Sequence, residues 1–277
     1  MRERRADGTG RVVACVAGLR ALEIRCLVDE AGWSGTAAET AYRVFLVRAG
    51  GYLHRVNGVT TFVDATTALV TRPGDEIAVA HPAGTGDHGT RLELSAELVA
   101  RLAEDGTPLV TGARPLDDRL DLRHRALLAA SRAGMDEFEA ADGMFGLLDQ
   151  LARTAPVAAR ARPATARAHR LLVNRAKEAL HTGGLAVGLE ALAAAAGCSP
   201  HHLSRVFAQV TGEPVSTYRN RLRVRVVLSD LQDGAGSLRA LAAEYGFADQ
   251  AHLTRVVRRQ LGRSPTEIRR LIAAERA

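Results

Sequence analysis

Two short stretches near the C-terminal end of the 277-residue chain combine side-chain types that can bind the edges of DNA bases. The first set is His201, His202, Ser204 and Arg205, and the second set is Gln250, His252, Thr254 and Arg255. An arginine can donate two hydrogen bonds to one guanine, whereas Gln, His, Ser and Thr supply shorter polar contacts. A leucine interrupts each set at helical spacing, so the polar residues would share one exposed helix face. We therefore predict two base-reading surfaces.

Both sets stand at equivalent places in an internal repeat. The first copy spans Leu189–Phe207 and the second spans Leu238–Val257. Each runs Leu-x-x-Leu-Ala-x-x-x-Gly, then a short turn, then Leu-[Ser/Thr]-Arg-Val, and the turn is one residue longer in the second copy. The alternative interpretation of a single polar helix face is an ordinary solvent-exposed surface. Two matched copies with arginine at the same place favour a function for that face instead.

Each copy has the local signals of a helix-turn-helix unit. Its leucines and alanine place an apolar stripe on a short first helix. Gly197 and Gly246 supply the left-handed backbone conformation that ends such a helix. Ser199 and Asp249 are good N-caps for the second helix, whose early turns enter the major groove in units of this kind.

A long helix is predicted between the two units, from Val215 to Gln232. A rigid connector would hold the two second helices at a fixed separation, and a separation of about 34 Å would let one chain read two successive major grooves. We expect some of its arginines to contact phosphates, which position a protein without reading sequence, and others to pair with acids or solvent. The residues predicted to contact the DNA backbone are Ser199, Arg219, Arg221, Arg258 and Arg259.

The net charge of +6 is carried by one end of the chain. Of the 37 Lys and Arg residues 17 follow residue 163, against only 9 of the 31 Asp and Glu residues. The preceding part is therefore close to neutral. A basic region attached to a neutral one indicates an anionic polymer as the partner of the basic region, and double-stranded DNA fits that description.

The first part of the chain, from residue 11 to about residue 94, is predicted to form short strands. Asn57-Gly58 is a strong signal for a two-residue hairpin, because both central positions of that turn need a positive φ. Arg72–Asp75 is a second turn. The predicted strands are Arg20–Val28, Tyr42–Arg48, Tyr52–Val56, Val59–Val63, Ala68–Thr71, Glu76–Ala80 and Thr90–Leu94, with Gly50-Gly51 separating the second from the third. Their number and spacing indicate an antiparallel barrel or sandwich.

Helices follow the strands. Ser95 is a plausible N-cap, and residues 117–153 carry apolar residues at helical spacing with a break near Gly134. We predict an α+β protein of two domains. Residues 1–10 form a disordered N-terminus, 11–152 a sensor or dimerisation domain with trailing helices, 153–168 a linker rich in Ala, Arg and Pro, and 169–277 an all-α DNA-binding domain.

Residues 170 to 272 resemble the AraC/XylS family of transcription regulators. The stretch Gly246–Pro265 is similar to the signature of the family's second unit, although Val257 stands where phenylalanine is more usual. Gly212-Glu-Pro214 is another mild departure, and Tyr218–Arg223 matches the start of the connecting helix. The resemblance implies base contacts from His201, Ser204, Arg205, Gln250, His252 and Arg255. It also implies a cupin-like barrel at the N-terminus that binds an effector or mediates dimerisation.

The predicted function is a sequence-specific DNA-binding transcription regulator. In one hypothesis a small effector binds inside the barrel, near Tyr42, Phe45 and His54, and changes DNA affinity. In the other, the barrel binds no ligand and serves only dimerisation or protein contact. A third reading, a cupin-type enzyme with an accessory DNA-binding module, needs a catalytic constellation that the sequence lacks. We expect a homodimer, with RNA polymerase as a further candidate partner.

The sequence offers little support for metal, cofactor or membrane chemistry. His54, His81 and His88 contain no His-x-His pair, so we predict ordinary loop or surface histidines, no metal and no cofactor. The three cysteines have no metal-ligand spacing and are expected to be reduced packing residues, with a redox sensor as the alternative. No run of about 18 apolar residues occurs, so we expect a cytoplasmic protein with no membrane span.

Overall fold

The computed structural model describes residues 10–16, 18–26, 32–82, 86–154 and 163–273. Strands fill the first part: β1 (Gly10–Val16), β2 (Leu19–Cys26), β3 (Gly32–Trp33), β4 (Ala37–Ala38), β5 (Tyr42–Val56), β6 (Val59–Asp64), β7 (Thr67–Thr71), β8 (Glu76–His81), β9 (Asp87–Leu94) and β10 (Gly112–Pro115). The helices are α1 (Ala96–Glu104), α2 (Asp118–Arg132), α3 (Glu137–Ala152), α4 (Pro163–Thr182), α5 (Leu189–Ala196), α6 (Pro200–Thr211), α7 (Val215–Gln232), α8 (Leu238–Glu244), α9 (Gln250–Leu261) and α10 (Pro265–Ile272). The predicted α+β fold class, an antiparallel barrel followed by helices, is confirmed.

Strand β5 joins the two halves of the antiparallel barrel. Its first half pairs with β9 and β7, and its second half pairs with β6 and β8. The prediction of two strands separated by Gly50-Gly51 is wrong. Gly50 has a φ of 73° and a register shift precedes it, so the chain bends there without leaving the strand.

The predicted turns of the barrel are confirmed. Asn57 and Gly58 have φ values of 48° and 77°, as the two-residue hairpin between β5 and β6 requires. Before β8, the backbone N–H of Asp75 donates to the carbonyl of Arg72 at 3.2 Å, and Gly74 has a φ of 85°. These turns fix the register of the strands that they join.

Helices α1 to α3 cover one face of the sheet that contains β2, β9, the first half of β5 and β7. Alternate residues of these strands, among them Val44 and Leu92, pack with Leu128 and Leu148 of the helices in one buried cluster. The opposite face points into the barrel, where Val47, Tyr52, Val63 and Leu69 form a smaller cluster. The break predicted near Gly134 lies between α2 and α3.

The last part of the chain forms two helix-turn-helix units, α5–α6 and α8–α9. Gly197 and Gly246 follow the first helix of each unit with φ values of 79° and 72°, which confirms the predicted helix ends. Each unit has its own apolar core. Val173 of α4 belongs to the core of the first unit, and Ile268 of α10 belongs to that of the second. The connecting helix α7 has the predicted limits, Val215–Gln232.

The two parts of the chain are packed together and not merely tethered. Leu122 of α2 lies in the same apolar cluster as Val257 of the second unit. Helix α4 begins at Pro163, so residues 163–168 of the predicted linker are helical, whereas 155–162 lie outside the described residues. The predicted disordered N-terminus also lies outside them, apart from Gly10. Among the described residues, no helix is both long and apolar enough to cross a membrane.

Candidate nucleic-acid interface

Helices α6 and α9 carry the predicted base-reading residues, and each begins at the predicted side-chain cap. The hydroxyl of Ser199 accepts a hydrogen bond from the backbone N–H of His202 at 3.3 Å. The carboxylate of Asp249 accepts one from the backbone N–H of His252 at 2.6 Å. Each cap satisfies a donor that the helix itself cannot pair, which fixes where the first turn begins.

The two helices present the same pattern of exposure along seven consecutive residues, 201–207 and 251–257. Leu203 and Leu253 are buried at the third position, and two further buried residues close the pattern. Arg205 and Arg255 are exposed at the fifth position of each. The repeat read from the sequence is therefore a repeat in space, with the same face of each helix turned to solvent.

Local hydrogen bonds orient the polar side chains of these faces. A guanidinium nitrogen of Arg205 lies 3.3 Å from Nδ1 of His202. The backbone N–H of Ala248 donates to Nδ1 of His252 at 3.2 Å, so a neutral His252 ring carries its proton on Nε2 and can donate from there. The hydroxyl of Thr254 donates to the carbonyl of Gln250 at 2.9 Å, which leaves its oxygen as an acceptor.

The residues predicted to contact the DNA backbone divide into two groups. Ser199, Arg258 and Arg259 are exposed at the two ends of the second helices. Arg219 donates to the carbonyl of Val187 at 2.9 Å and is only partly exposed. Arg221 is committed elsewhere: it forms ion pairs with Asp118 at 3.2 Å and Glu213 at 2.7 Å. A phosphate contact from Arg221 would therefore have to replace one of these ion pairs.

Some arginines of α7 pair with acids, as expected, but these acids belong to the N-terminal part of the chain. Arg223 donates to the carbonyl of Leu185 at 2.8 Å. Arg225 is 1% exposed, donates to Asp118 at 2.8 Å and pairs with Asp121. Burial acts to lower the pKa of Arg221, but the carboxylates of Asp118 and Glu213 raise this pKa above its ordinary value. Helix α7 thus binds the N-terminal part through charges.

Asp64 is the centre of a second polar contact between the two parts. This fully buried carboxylate, at the end of β6, accepts a hydrogen bond from the hydroxyl of Tyr218 on α7. His181 of α4 lies 3.5 Å from it. Burial acts to raise the pKa of Asp64, but Lys177, His181 and Tyr218 hold it well below its usual range. A buried charge of this kind is tolerated because partners surround it.

Asn174 of α4 forms hydrogen bonds with the backbone along the outer edge of β6. Its side-chain oxygen accepts from the backbone N–H of Phe62 at 2.9 Å, and its side-chain nitrogen donates to the carbonyl of Thr60 at 3.0 Å. The amide therefore pairs with the strand as another strand would. Because the side chain is 6% exposed, these bonds are protected from water.

A cavity of about 290 Å³ lies beside these contacts, between the barrel and the helix-turn-helix domain. The barrel contributes β6, β7 and β10 to its wall, and α4, α6 and α7 supply the other side. Its polar lining includes Thr61, Thr67, Asn174, Lys177 and Tyr218. Its lining residues include several of those that hold the two parts together, so a molecule bound there would contact both.

The structure does not bring the three predicted effector residues together. Phe45 and His54 lie on the barrel side, with ring centroids 5.7 Å apart. Tyr42 packs against the helix-covered cluster on the opposite face, because an odd separation along a strand reverses the side chain. His54 is 2% exposed, neither ring nitrogen has a hydrogen-bond partner, and burial lowers its pKa to about 4.

A cluster that the sequence did not indicate lies at the end of the barrel. Cys26, His81 and Asp87 come from three strands, and His81 Nε2 is 2.6 Å from a carboxylate oxygen of Asp87. Burial acts to lower the pKa of His81, but Asp87 and Cys26 raise it to about 9. The neighbours of His81 are therefore Cys26 and Asp87, 55 and 6 residues away along the chain, and not the other histidines of the barrel. His88 instead contacts Glu23 at 3.2 Å.

Comparison with known proteins found similarity over the repeat. A helix-turn-helix domain family matches residues 192–271, which include the second helices of both units. The HTH-type transcriptional regulator Rv1931c of Mycobacterium tuberculosis is 33% identical over 82 residues, which are 30% of this chain and 32% of that protein. The chain thus spans about a third of that relative's length.

Two further similarities were found. The probable transcription factor PqrA of Proteus vulgaris is 28% identical over 83 residues, 30% of this chain and 68% of that protein. The crystal structure of an apo ToxT variant from Vibrio cholerae aligns with 94% of this chain and 100% of its own, with a TM-score of 0.40 and 9% identity. The two sequence relatives are both described as regulators of transcription.

Proposed function

We propose that the chain is a transcription regulator of the AraC/XylS type that reads two successive major grooves of double-stranded DNA. A helix-turn-helix family model that matches residues 192–271 supports this proposal. The base-reading residues in this proposal are His201, His202, Ser204 and Arg205 of α6, and Gln250, His252, Thr254 and Arg255 of α9. Ser199, Arg219, Arg258 and Arg259 contact the phosphates.

The observation that carries the proposal is the matched exposure of α6 and α9. Both helices bury the same positions and turn the same positions to solvent, and an exposed arginine stands at the fifth position of each pattern. An arginine at this point of a second helix can form a bidentate contact with guanine. A helix face that is only solvent-exposed does not require the same residue pattern in two places.

Charge supports the same proposal. Helix α9 carries three exposed arginines, Arg255, Arg258 and Arg259, within two turns. The spacing of three and four residues puts all three on neighbouring parts of the helix surface. Such a cluster attracts phosphates, so affinity will depend steeply on salt.

The experiment that tests this function is a selection of genomic fragments with the purified full-length chain, followed by titrations of the enriched sites across a salt series. We expect a motif with two short blocks about one helical turn apart, and a log–log salt slope of about −0.9 for each phosphate neutralised. Folded protein that enriches no motif, alone or with cellular metabolites, would contradict the proposal.

We further propose that a small effector regulates DNA binding from the cavity between the barrel and the helix-turn-helix domain. The cavity of about 290 Å³ supports this, because its walls include Asn174, Lys177 and Tyr218, which bind the barrel. A ligand that fits one arrangement of these residues better than another shifts the equilibrium between arrangements. The alternative is a barrel that only dimerises or contacts protein.

A thermal-shift screen of metabolites with the full-length chain separates these two roles. A ligand that binds only the folded state raises its melting temperature. In the variant Thr61→Trp, a bulky ring enters the cavity, and we expect the shift and any change in DNA affinity to be lost. Thr36→Trp, at an exposed position, is the matched control. No shift in any metabolite class, with a stable dimer in solution, favours the alternative.

A further inference from the structure

Cys26, His81 and Asp87 present a sulfur, a nitrogen and an oxygen to one small space. A ligand atom of each lies within 4.8 Å of the others. Tetrahedral zinc, with bonds of about 2.0–2.3 Å, holds its ligand atoms about 3.5 Å apart. To bind zinc, the imidazole and carboxylate atoms, which are 2.6 Å apart, would separate by about 1 Å, and the sulfur would approach by about 1.3 Å at most. Rotation of the side chains about their own bonds can supply movements of this size.

Strand pairing fixes the backbone beneath these side chains. Cys26 ends β2 and lies opposite Asp87, the first residue of β9, in the antiparallel ladder. Asp87 also lies opposite Gly50 of β5. A Cβ on Gly50 would stand 2.0 Å from the carbonyl oxygen of Gly86, so only glycine lets the two strands approach this closely. His81 ends β8 and pairs with β3.

The surroundings are partly sealed from water. The ring of Tyr52 stacks on His81 with centroids 5.6 Å apart, and Tyr52 is 6% exposed. The side chains of His81 and Asp87 retain 8% and 12% of their accessible surface. A small ion can therefore reach the cluster, although the aromatic ring of Tyr52 covers one side of it. Partial exclusion of water strengthens the attraction between a cation and its ligands.

From this geometry we propose that Cys26, His81 and Asp87 form a binding site for one divalent transition-metal ion, of which zinc fits the donor set best. One thiolate, one imidazole and one carboxylate are ligands that zinc accepts in protein sites. Thiolate and imidazole disfavour magnesium and calcium, which take oxygen ligands. Three protein ligands leave a fourth position for water or a small molecule.

A simpler arrangement fits the same geometry: His81 and Asp87 form an ion pair, and the thiol of Cys26 is its neighbour. The pair alone satisfies one atom of each partner, at 2.6 Å. The sulfur of Cys26 then serves only as a hydrogen-bond partner of the imidazole and holds no metal. The two arrangements differ in whether the thiolate binds a metal, and this difference is visible in solution.

The test is a cobalt titration of the reduced, chelator-treated full-length chain. We expect about one Co²⁺ per chain, with the absorption of thiolate-to-cobalt charge transfer, and its displacement by Zn²⁺. Cys26→Ser should abolish that absorption, whereas Cys15→Ser and Cys198→Ser, which change the other two free cysteines, should keep it. His81→Gln and Asp87→Asn should weaken binding by about a hundredfold or more.

A second measurement needs no variant. Zn²⁺ should slow alkylation of Cys26 in the unmodified chain, as located by peptide mass spectrometry, and should leave alkylation of Cys15 and Cys198 unchanged. Cobalt bound without charge-transfer absorption would reside on histidines elsewhere and would overturn the proposal. So would absorption that survives in Cys26→Ser, or an alkylation rate at Cys26 that zinc does not change.

Discussion

Arginine has several roles in this chain, and the partners of each guanidinium decide which role it takes. Arg225 is 1% exposed and bound to carboxylates, whereas Arg255 and Arg259 are exposed on α9. In our proposal Arg255 reads a base and Arg259 meets a phosphate. A base contact changes sequence preference, and a phosphate contact changes affinity for all sequences alike.

Replacement of Arg259 by alanine tests its assignment to the DNA backbone. We expect Arg259→Ala to weaken binding to cognate and random DNA by the same factor and to reduce the salt slope by about one unit, since one phosphate is no longer neutralised. Fluorescence anisotropy across a salt series measures both. Arg101→Ala, an exposed residue of α1, should change neither. A loss confined to cognate DNA would show that Arg259 reads a base.

His54 gives a prediction about pH. Burial lowers its pKa from 6.5 to about 4 in the folded chain, so between these values the unfolded chain binds a proton that the folded chain excludes. The contribution of neutral His54 to the free energy of unfolding is therefore fully present above pH 6.5. It is lost as the pH falls towards 4, because the unfolded chain gains a proton there.

Replacement of His54 by leucine removes this titration. Between pH 7 and pH 5 we expect the unmodified chain to lose about 2 kcal/mol more unfolding free energy than His54→Leu. Urea denaturation at a series of pH values measures the difference. Both ring nitrogens lack partners, so the variant should also be no less stable at pH 7. Parallel pH curves for the two chains would refute the assignment of a lowered pKa.

At the scale of elements, α7 is both the connector of the two units and the support of the barrel. One side packs in the cores of the two units, through Leu222 and Leu228. The other side carries Arg221 and Arg225 to the carboxylates at the start of α2. A movement of α2 relative to α7 would therefore move the recognition helices, which is the physical basis for regulation in our proposal.

Removal of Arg225 tests that support. Arg225→Ala leaves Asp121, which is fully buried, with one cation fewer, and the loss of one partner from a buried pair costs about 3–5 kcal/mol. Arg153→Ala breaks the ion pair with Asp149, both exposed at the end of α3, and should cost about 0–1 kcal/mol. Chemical denaturation compares the two. Equal small losses would mean that Arg225 does not hold the domains together.

At the scale of the whole molecule, the sequence predicted what local signals specify. The hairpin at Asn57, the caps at Ser199 and Asp249 and the limits of α7 each depend on residues within a few positions. The two helices of each helix-turn-helix unit could be predicted, because a repeated pattern of leucine, glycine and arginine determines their apolar and exposed faces, but the contributions of α4 and α10 to the cores could not.

What the sequence did not reveal depends on distant residues. Arg221 lies 103 residues from Asp118, so no local pattern predicts their ion pair. Gly50 usually marks the end of a strand, and only pairing with two sets of neighbours keeps β5 continuous. Cys26 meets His81 and Asp87 through three strands, which ligand spacing along the chain cannot show. Fold was therefore more predictable than the sites between elements.

The central claim is that α6 and α9 read separate blocks of one DNA site, and a specificity measurement with two variants tests it directly. Each block of the selected motif is mutated in turn, and binding of the unmodified chain, Arg205→Ala and Arg255→Ala is titrated on every version. We expect each variant to lose about 1–3 kcal/mol on the intact motif and to become indifferent to mutation of one block only, a different block for each variant. Losses that are equal on cognate and random DNA, or that fall on the same block for both variants, would contradict the account.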